Sequence, residues 1–293
     1  MNAPSPRPAT EESLPRVRAT LSYVKAERGP VHTRVYPPTS GIATQRPEAV
    51  RHDVWVRDAR GVLASLDLDD QGFECHTATS RFSDFFDDSA VRAHYYPEVR
   101  DILMSLTGAR DVVVFDHNVR SAARAARGQM GVREPVDQVH NDYTLLSGPK
   151  RKLEILQAVG KEALADHRVA FVNLWRPLVG PIQDNPLAVC DAQSVSADDL
   201  IDTEIHHFGE NDLETPRHRG QIYSVRHNPA HRWYYVSDMQ PREFLLLKNY
   251  DSRDDGVARF MPHTGFNHPD CPVQHTPRES IEARTLVIFD EPA

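Results

Sequence analysis

Short runs in which apolar and polar residues alternate recur along the chain. Val17 to Val24 and Asp53-Val54-Trp55-Val56-Arg57-Asp58 follow this period-two pattern, which predicts strands with one wet face. The second run meets Ala59-Arg60-Gly61, which predicts a turn and a return strand from Leu63 to Leu68. Asp111-Val112-Val113-Val114-Phe115-Asp116 is a continuous apolar run framed by acids, the mark of a buried strand. Val169 to Trp175 reads as a strand, and Leu187-Ala188-Val189-Cys190 is another short apolar segment. Helical spacing occurs in two places. Ser80 to Leu106 opens with acidic residues, carries Val99, Ile102, Leu103 and Leu106 as a stripe, and stops at Gly108. Lys150 to His167 places Leu153, Leu156, Val159 and Leu164 on one side.

The polar stretches are equally informative. Arg28 to Pro47 is punctuated by Pro and Gly and reads as loop or extended edge. The twenty residues after Asp116, with Arg120, Arg124, Arg127 and Arg133, read as a long exposed loop of the kind that often forms a lid. Residues 202–220, including the pair His206-His207, read as polar surface. Beyond them strands dominate: Gln221 to His227, Trp233 to Val236, Glu243 to Lys248, Ala258 to Thr264 and Ile281 to Phe289. Residues 1–15, with four prolines, read as a disordered lead-in, and 16–293 as one domain. Within it 16–136 carries helices and 137–290 is strand-rich. The class expected is mainly β with flanking helices, as a barrel or jelly roll.

Composition narrows the function. The 293 residues suffice for a sizeable core, and a net charge of −8 gives no basic footprint for nucleic acid. The three cysteines are far apart and form no CxxC, so a disulfide framework or a zinc site is not expected, and a reducing cytoplasm fits best. No leading apolar segment suggests a signal peptide, and no run is long enough for a membrane span.

One tripeptide carries chemistry. Gln138-Val139-His140-Asn141-Asp142 reads as a short strand ending in His-x-Asp, and residues two apart on a strand share a face. A distant histidine would complete a two-His, one-carboxylate set, which holds Fe(II) and leaves positions open. His263, in Pro262-His263-Thr264, is the candidate. Fifteen residues later comes Arg278-Glu279-Ser280, whose guanidinium and hydroxyl again share a strand face and could hold the distal carboxylate of a 2-oxo diacid. Arg284 could share that face and is the rival. Asn173, Trp175 and Arg176 lie on or just after a strand and, with Tyr235, are candidate pocket residues, against the alternative that they are packing residues.

Longer stretches carry a resemblance: Asn173 to Leu178 with Pro186 to Asp191, His231-Arg232-Trp233-Tyr234-Tyr235, Leu247 to Ser252, Pro262 to Phe266 and Arg278 to Arg284. Together with the His-x-Asp, they resemble the Fe(II)/2-oxoglutarate-dependent dioxygenases. The branch is the gibberellin-desaturase-like and cephalosporin-methoxylation-like one, which includes fungal hydroxylase/desaturases. The resemblance implies a double-stranded β-helix, cupin-like core, with Fe(II) as cofactor and 2-oxoglutarate and O2 as co-substrates. It maps His140, Asp142 and His263 onto the metal and Arg278 with Ser280 onto the co-substrate. It implies hydroxylation or desaturation of a small molecule of secondary metabolism, through a ferryl oxidant with release of succinate and CO2. The alternatives are an iron oxygenase that does not use 2-oxoglutarate, and a barrel that binds a small ligand without catalysis.

Overall fold

The computed structural model describes residues 13–25 and 30–292. Fifteen strands follow in order: β1 (Arg16–Val24), β2 (Val31–Val35), β3 (Ala49–Asp58), β4 (Phe73–Thr77), β5 (Asp111–Ser121), β6 (Val132–Arg133), β7 (His140–Asn141), β8 (His167–Pro177), β9 (Leu187–Cys190), β10 (Leu200–His207), β11 (His218–Val225), β12 (Trp233–Tyr235), β13 (Glu243–Asp251), β14 (His263–Gly265) and β15 (Glu279–Pro292). They form two sheets. Nine strands run in the order β1-β3-β12-β9-β14-β7-β11-β10-β2, and six in the order β4-β13-β8-β15-β5-β6. Nearly all pairings are antiparallel; β2 on β10, β12 on β3 and β6 on β5 are parallel. The sheets curl towards each other as the double-stranded β-helix expected from the resemblance.

Period-two alternation sorts side chains between three layers. On β8, Ala170, Val172 and Leu174 face outward and pack under the helix Tyr96–Thr107 through Val99 and Leu103. That helix ends as its sequence demands: Gly108 adopts φ 65° and its N–H closes on Met104 O. The alternate residues of β8 point between the sheets. Phe171 joins Leu286, Ile288 and Val113 at one end, sealed by Ile155 and Leu156 of the helix Ser147–Ala158. Trp175 joins Leu187, Val189, Leu245 and Leu247 at the other. Each such buried aliphatic contributes about 1.5–3 kcal/mol. Asn173 sits between Phe171 and Trp175 on the same face, fully buried, and marks a polar belt between the two apolar clusters.

Several expectations need correction. Leu63 to Leu68 does not return as a strand: Ala59–Gly61 and Leu63–Ser65 are 3-10 turns, and the chain crosses to β4 in the other sheet. The stretch 202–220 is largely a hairpin, with Leu200 to His207 paired in register to Val225 to His218. It looked like surface because one edge lies in water. The strand opening at Asp111 runs to Ser121, five residues past its apolar run, and a short helix, Ala122–Ala126, follows. Of the expected disordered lead-in, residues 1–12 lie outside the described residues; Leu14 is buried in the core.

Candidate functional site

The polar belt is built by three neighbouring strands in register. Across β5, β15 and β8, Asp116 pairs with Arg284 and Arg284 with Asn173; Asn118 pairs with Glu282 and Glu282 with Trp175; Arg120 pairs with Ser280. Cross-strand partners share a face, so this whole polar set points inward, while Ile281 and Ala283 point out into the helix layer. The facing sheet supplies the other wall. His263 on β14 is the register partner of His140 on β7, and their ring centroids lie 4.5 Å apart. Asp142 follows β7, with its Oδ1 3.6 Å from His140 Nε2. One ligand atom from each of His140, Asp142 and His263 falls within 4.8 Å of the others.

Both imidazoles are oriented by their own backbone. His140 Nδ1 lies 2.8 Å from Gln138 O and His263 Nδ1 lies 3.3 Å from Met261 O. A carbonyl only accepts, so each Nδ1 carries a proton, which leaves Nε2 as the nitrogen available to a metal. Burial, reinforced by His263, pushes His140 down to about 3, so it stays neutral. Burial opposes ionisation of Asp142, but the Arg284 guanidinium and the adjacent imidazoles outweigh it and hold the carboxyl well below the usual range. Asp142 Oδ2 lies 3.4 Å from Arg284 Nη2 and accepts from Asn173 Nδ2 at 2.9 Å. Asn173 Nδ2 also donates to Glu282 Oε1 at 2.8 Å. Asn141 points the other way. Its Nδ2 donates to Tyr143 O and Asn249 O, and its Oδ1 accepts from Met261 N, so one amide ties the His-x-Asp turn to the approach to His263. Two imidazole nitrogens and one carboxylate oxygen are a donor set suited to a divalent first-row metal.

Arg278 is buried at 4% exposure, and among the described residues it makes no ion pair with a carboxylate. Its Nη1 donates to Asn185 O at 2.6 Å, while Nε and Nη2 both lie 3.3 Å from Ser280 Oγ. Its guanidinium stacks 5.1 Å over the Trp175 ring. Burial pushes it down to about 9, the direction expected of an uncompensated buried cation. Arg284, by contrast, is raised, because Asp142 and Glu282 outweigh its burial. His140, His263 and Arg278 line one cleft of roughly 320 Å³, part of it open solvent, together with Arg120, Trp175, Leu187, Glu282 and Arg284, and Asp142 adjoins it through His140 and Arg284.

Of the candidate residues, His140, Asp142, His263, Arg278, Ser280, Asn173 and Trp175 therefore meet at one place. Two do not. Arg176 is one residue out of phase with Trp175, and its guanidinium donates to Tyr95 OH, Ala78 O and Pro241 O in the outer layer. Tyr235 packs with Trp233 and Cys190 on the outer face of the nine-stranded sheet, its hydroxyl 3.2 Å from His268 Nε2. Conversely, Arg120 was expected in a solvated loop and instead lines the cleft; only its Nη1 contact to Glu134 O, 2.7 Å, uses the guanidinium among the described hydrogen bonds. Lys248, on β13, is buried against Asp69 and Asp251.

Comparison with known proteins gives consistent results. A family model described as an oxidoreductase/YMDC permease-like domain matches residues 21–288. Among the described residues, no helix is long and apolar enough to cross a membrane. The hydroxylase/desaturase efuI of Hormonema carpetanum is 32% identical over 94% of this chain and 96% of its own. The Fe(II)/2-oxoglutarate-dependent dioxygenase nvfI of Aspergillus novofumigatus is 32% identical over 80% of this chain and 83% of its own. Among solved structures, the iron and alpha-ketoglutarate-dependent endoperoxidase NvfI superposes with a TM-score of 0.79 at 28% identity, covering 94% of this chain and 98% of that one.

Proposed function

The chain belongs to the Fe(II)/2-oxoglutarate-dependent dioxygenases, and from that premise we propose that it hydroxylates or desaturates a small molecule of secondary metabolism at the cleft between its sheets. The reading rests on one observation: three ligand atoms converge, and the two histidines among them share a cleft with a buried guanidinium that has no carboxylate partner among the described residues. There, Nε2 of His140, Nε2 of His263 and a carboxylate oxygen of Asp142 would hold Fe(II). When bound, Fe(II) supplies O2 activation, and oxidative decarboxylation of 2-oxoglutarate to succinate and CO2 furnishes the two electrons that oxidation of a C–H bond leaves wanting.

The remaining residues act by position. Arg278, with Ser280 beside it, takes the distal carboxylate of 2-oxoglutarate through two parallel donors. Arg284 and Asn173 hold the Asp142 carboxylate in a single orientation, so its free oxygen faces the imidazoles. Trp175 stacks beneath Arg278 and, with Leu187, keeps that end of the cleft dry. Where the substrate's C–H bonds lie against this frame decides between alcohol and alkene.

The test is anaerobic visible absorption of the protein with Fe(II) and 2-oxoglutarate, in which chelation of the oxo acid gives a weak charge-transfer band. The band is expected in the wild-type chain, absent in His140→Ala and weakened in Arg278→Ala. Iron binding with no band would transfer the reading to an oxygenase that does not use 2-oxoglutarate. A folded chain that takes up no iron would leave a ligand-binding barrel. Because one structural relative is an endoperoxidase, product analysis should seek addition of O2 as well as hydroxylation and loss of two hydrogens.

A further inference from the structure

The adjacent histidines of β10 part company in the fold. His207 turns to one face and meets His218, their ring centroids 5.8 Å apart. His206 turns to the other, the face of Glu204, two residues before it. The parallel neighbour β2 places His32 directly opposite Glu204. Glu204 Oε2 lies 2.7 Å from His206 Nε2 and 3.5 Å from His32 Nδ1, and the two rings are 5.2 Å apart. One ligand atom from each residue lies within 4.8 Å of the others.

We propose that His32, Glu204 and His206 form a second metal site, on the edge of the nine-stranded sheet, that takes Zn(II). The proposal is independent of the central cleft, since none of the three residues lines it. Two imidazoles and one carboxylate suit Zn(II) rather than Mg(II) or Ca(II), which prefer all-oxygen shells. Zn–N and Zn–O bonds of 2.0–2.2 Å put tetrahedral neighbours about 3.3 Å apart, so small rotations, chiefly of the more exposed His32 and Glu204, close the set and leave the fourth position to water. Arg34 and Arg219 are the register partners of His206 on either side, and their charge keeps the affinity below that of an all-neutral surround.

The site has a structural consequence. β2 is the terminal strand of its sheet: β10 pairs with one edge, and on the other edge a single bridge joins Arg34 to Gln45. Zinc would pin His32 to Glu204 and His206, 172 and 174 positions away in sequence, and add a crosslink to an edge strand held mainly by backbone pairing.

The experiment counts zinc. The full chain, stripped of metal, is titrated with Zn(II) by calorimetry, and bound zinc is measured after desalting. Two equivalents are expected for the wild-type chain, one central and one peripheral. His206→Ala and His32→Ala should each lose one, with at least a tenfold loss of affinity at the peripheral site. His140→Ala should keep one, which His140→Ala/His206→Ala then loses. Two equivalents retained in His206→Ala, or a single wild-type equivalent that disappears with His140, would overturn the site. Melting of His140→Ala with and without Zn(II) checks the clamp. A rise in Tm that His206→Gln abolishes supports it, whereas zinc uptake with no rise removes the structural role.

Discussion

Replacing Arg278 with Met tests both the co-substrate assignment and the difference between two buried arginines. In the cleft, Nε and Nη2 of Arg278 both approach Ser280 Oγ at 3.3 Å, a long contact that a carboxylate would replace with two charge-assisted bonds. Bonds to charged groups contribute about 1.5–3 kcal/mol each. Losing both costs at least about 3 kcal/mol, a little over a hundredfold in the dissociation constant of 2-oxoglutarate. Stability should move differently. Arg278 has no carboxylate partner to strand, so removing a poorly compensated buried charge should leave Tm unchanged or raise it. Arg284→Met strands Asp142 and Glu282 and should cost about 3–5 kcal/mol of folding free energy. The assay is titration of 2-oxoglutarate into Mn(II)-loaded protein without O2, followed by calorimetry, with melting curves run alongside. The reasoning fails if Arg278→Met binds within threefold of the wild-type chain, or if Arg284→Met stays folded and loses the co-substrate. In the latter case the distal carboxylate goes to Arg284.

Four further outcomes are expected. Asn173→Ala frees the carboxylate of Asp142 and should weaken iron binding about 10–100-fold in an equilibrium competition assay with a chelator, with the fold retained. Gly265→Ala builds a Cβ 2.3 Å from Asn185 Oδ1 and 3.3 Å from Arg278 Nη1, so it should raise the KM for 2-oxoglutarate with less effect on iron affinity, measured in the same competition assay. His117, His207, His227, His231 and His268 are all held below the ordinary imidazole range, with burial the main cause. Their unfolded-state pKa is about 6.5, so the stability they contribute is full above that pH and is lost as the unfolded chain takes up protons below it. Calorimetric Tm should therefore fall between pH 7.5 and 5.5, and a flat profile would contradict it. Arg120→Gln removes a cleft cation whose only described bond is to Glu134 O, so it should change 2-oxoglutarate or substrate KM while leaving Tm within a degree or two.

The sequence and the fold agree where the interior is apolar. Ala170, Val172 and Leu174 announce β8, and Gly108 announces the end of its covering helix. Agreement breaks down along the polar belt, because hydrophobic periodicity assumes an oily interior and this one holds Asp116, Asn118 and Arg120 on one strand and Ser280, Glu282 and Arg284 on another. The last five residues of β5 therefore read as loop, and Arg120 went with them. The convergence of His140, Asp142 and His263 was legible because His-x-Asp places two ligand-type side chains on one strand face and His263 follows a strand-like run. Arg176 and Tyr235 could not be placed, since adjacency in sequence does not tell which face of a strand a residue takes. Nor did Asn141 give any signal: its tie to Met261 spans 120 residues and is visible only in the folded chain.

The ion pair between Arg284 and Asp142 bears on how such a protein is made. In a zinc finger, the apo chain carries ligand charges that nothing else neutralises, so metal and fold arrive together. Here a strand of the opposite sheet already supplies the balancing charge, and an amide fixes the carboxylate's direction. The polypeptide can therefore finish folding on the ribosome's schedule rather than on that of the iron supply. Iron scarcity would then leave a standing stock of intact, dormant enzyme that resumes turnover when the metal returns, instead of a pool of misfolded chains marked for degradation.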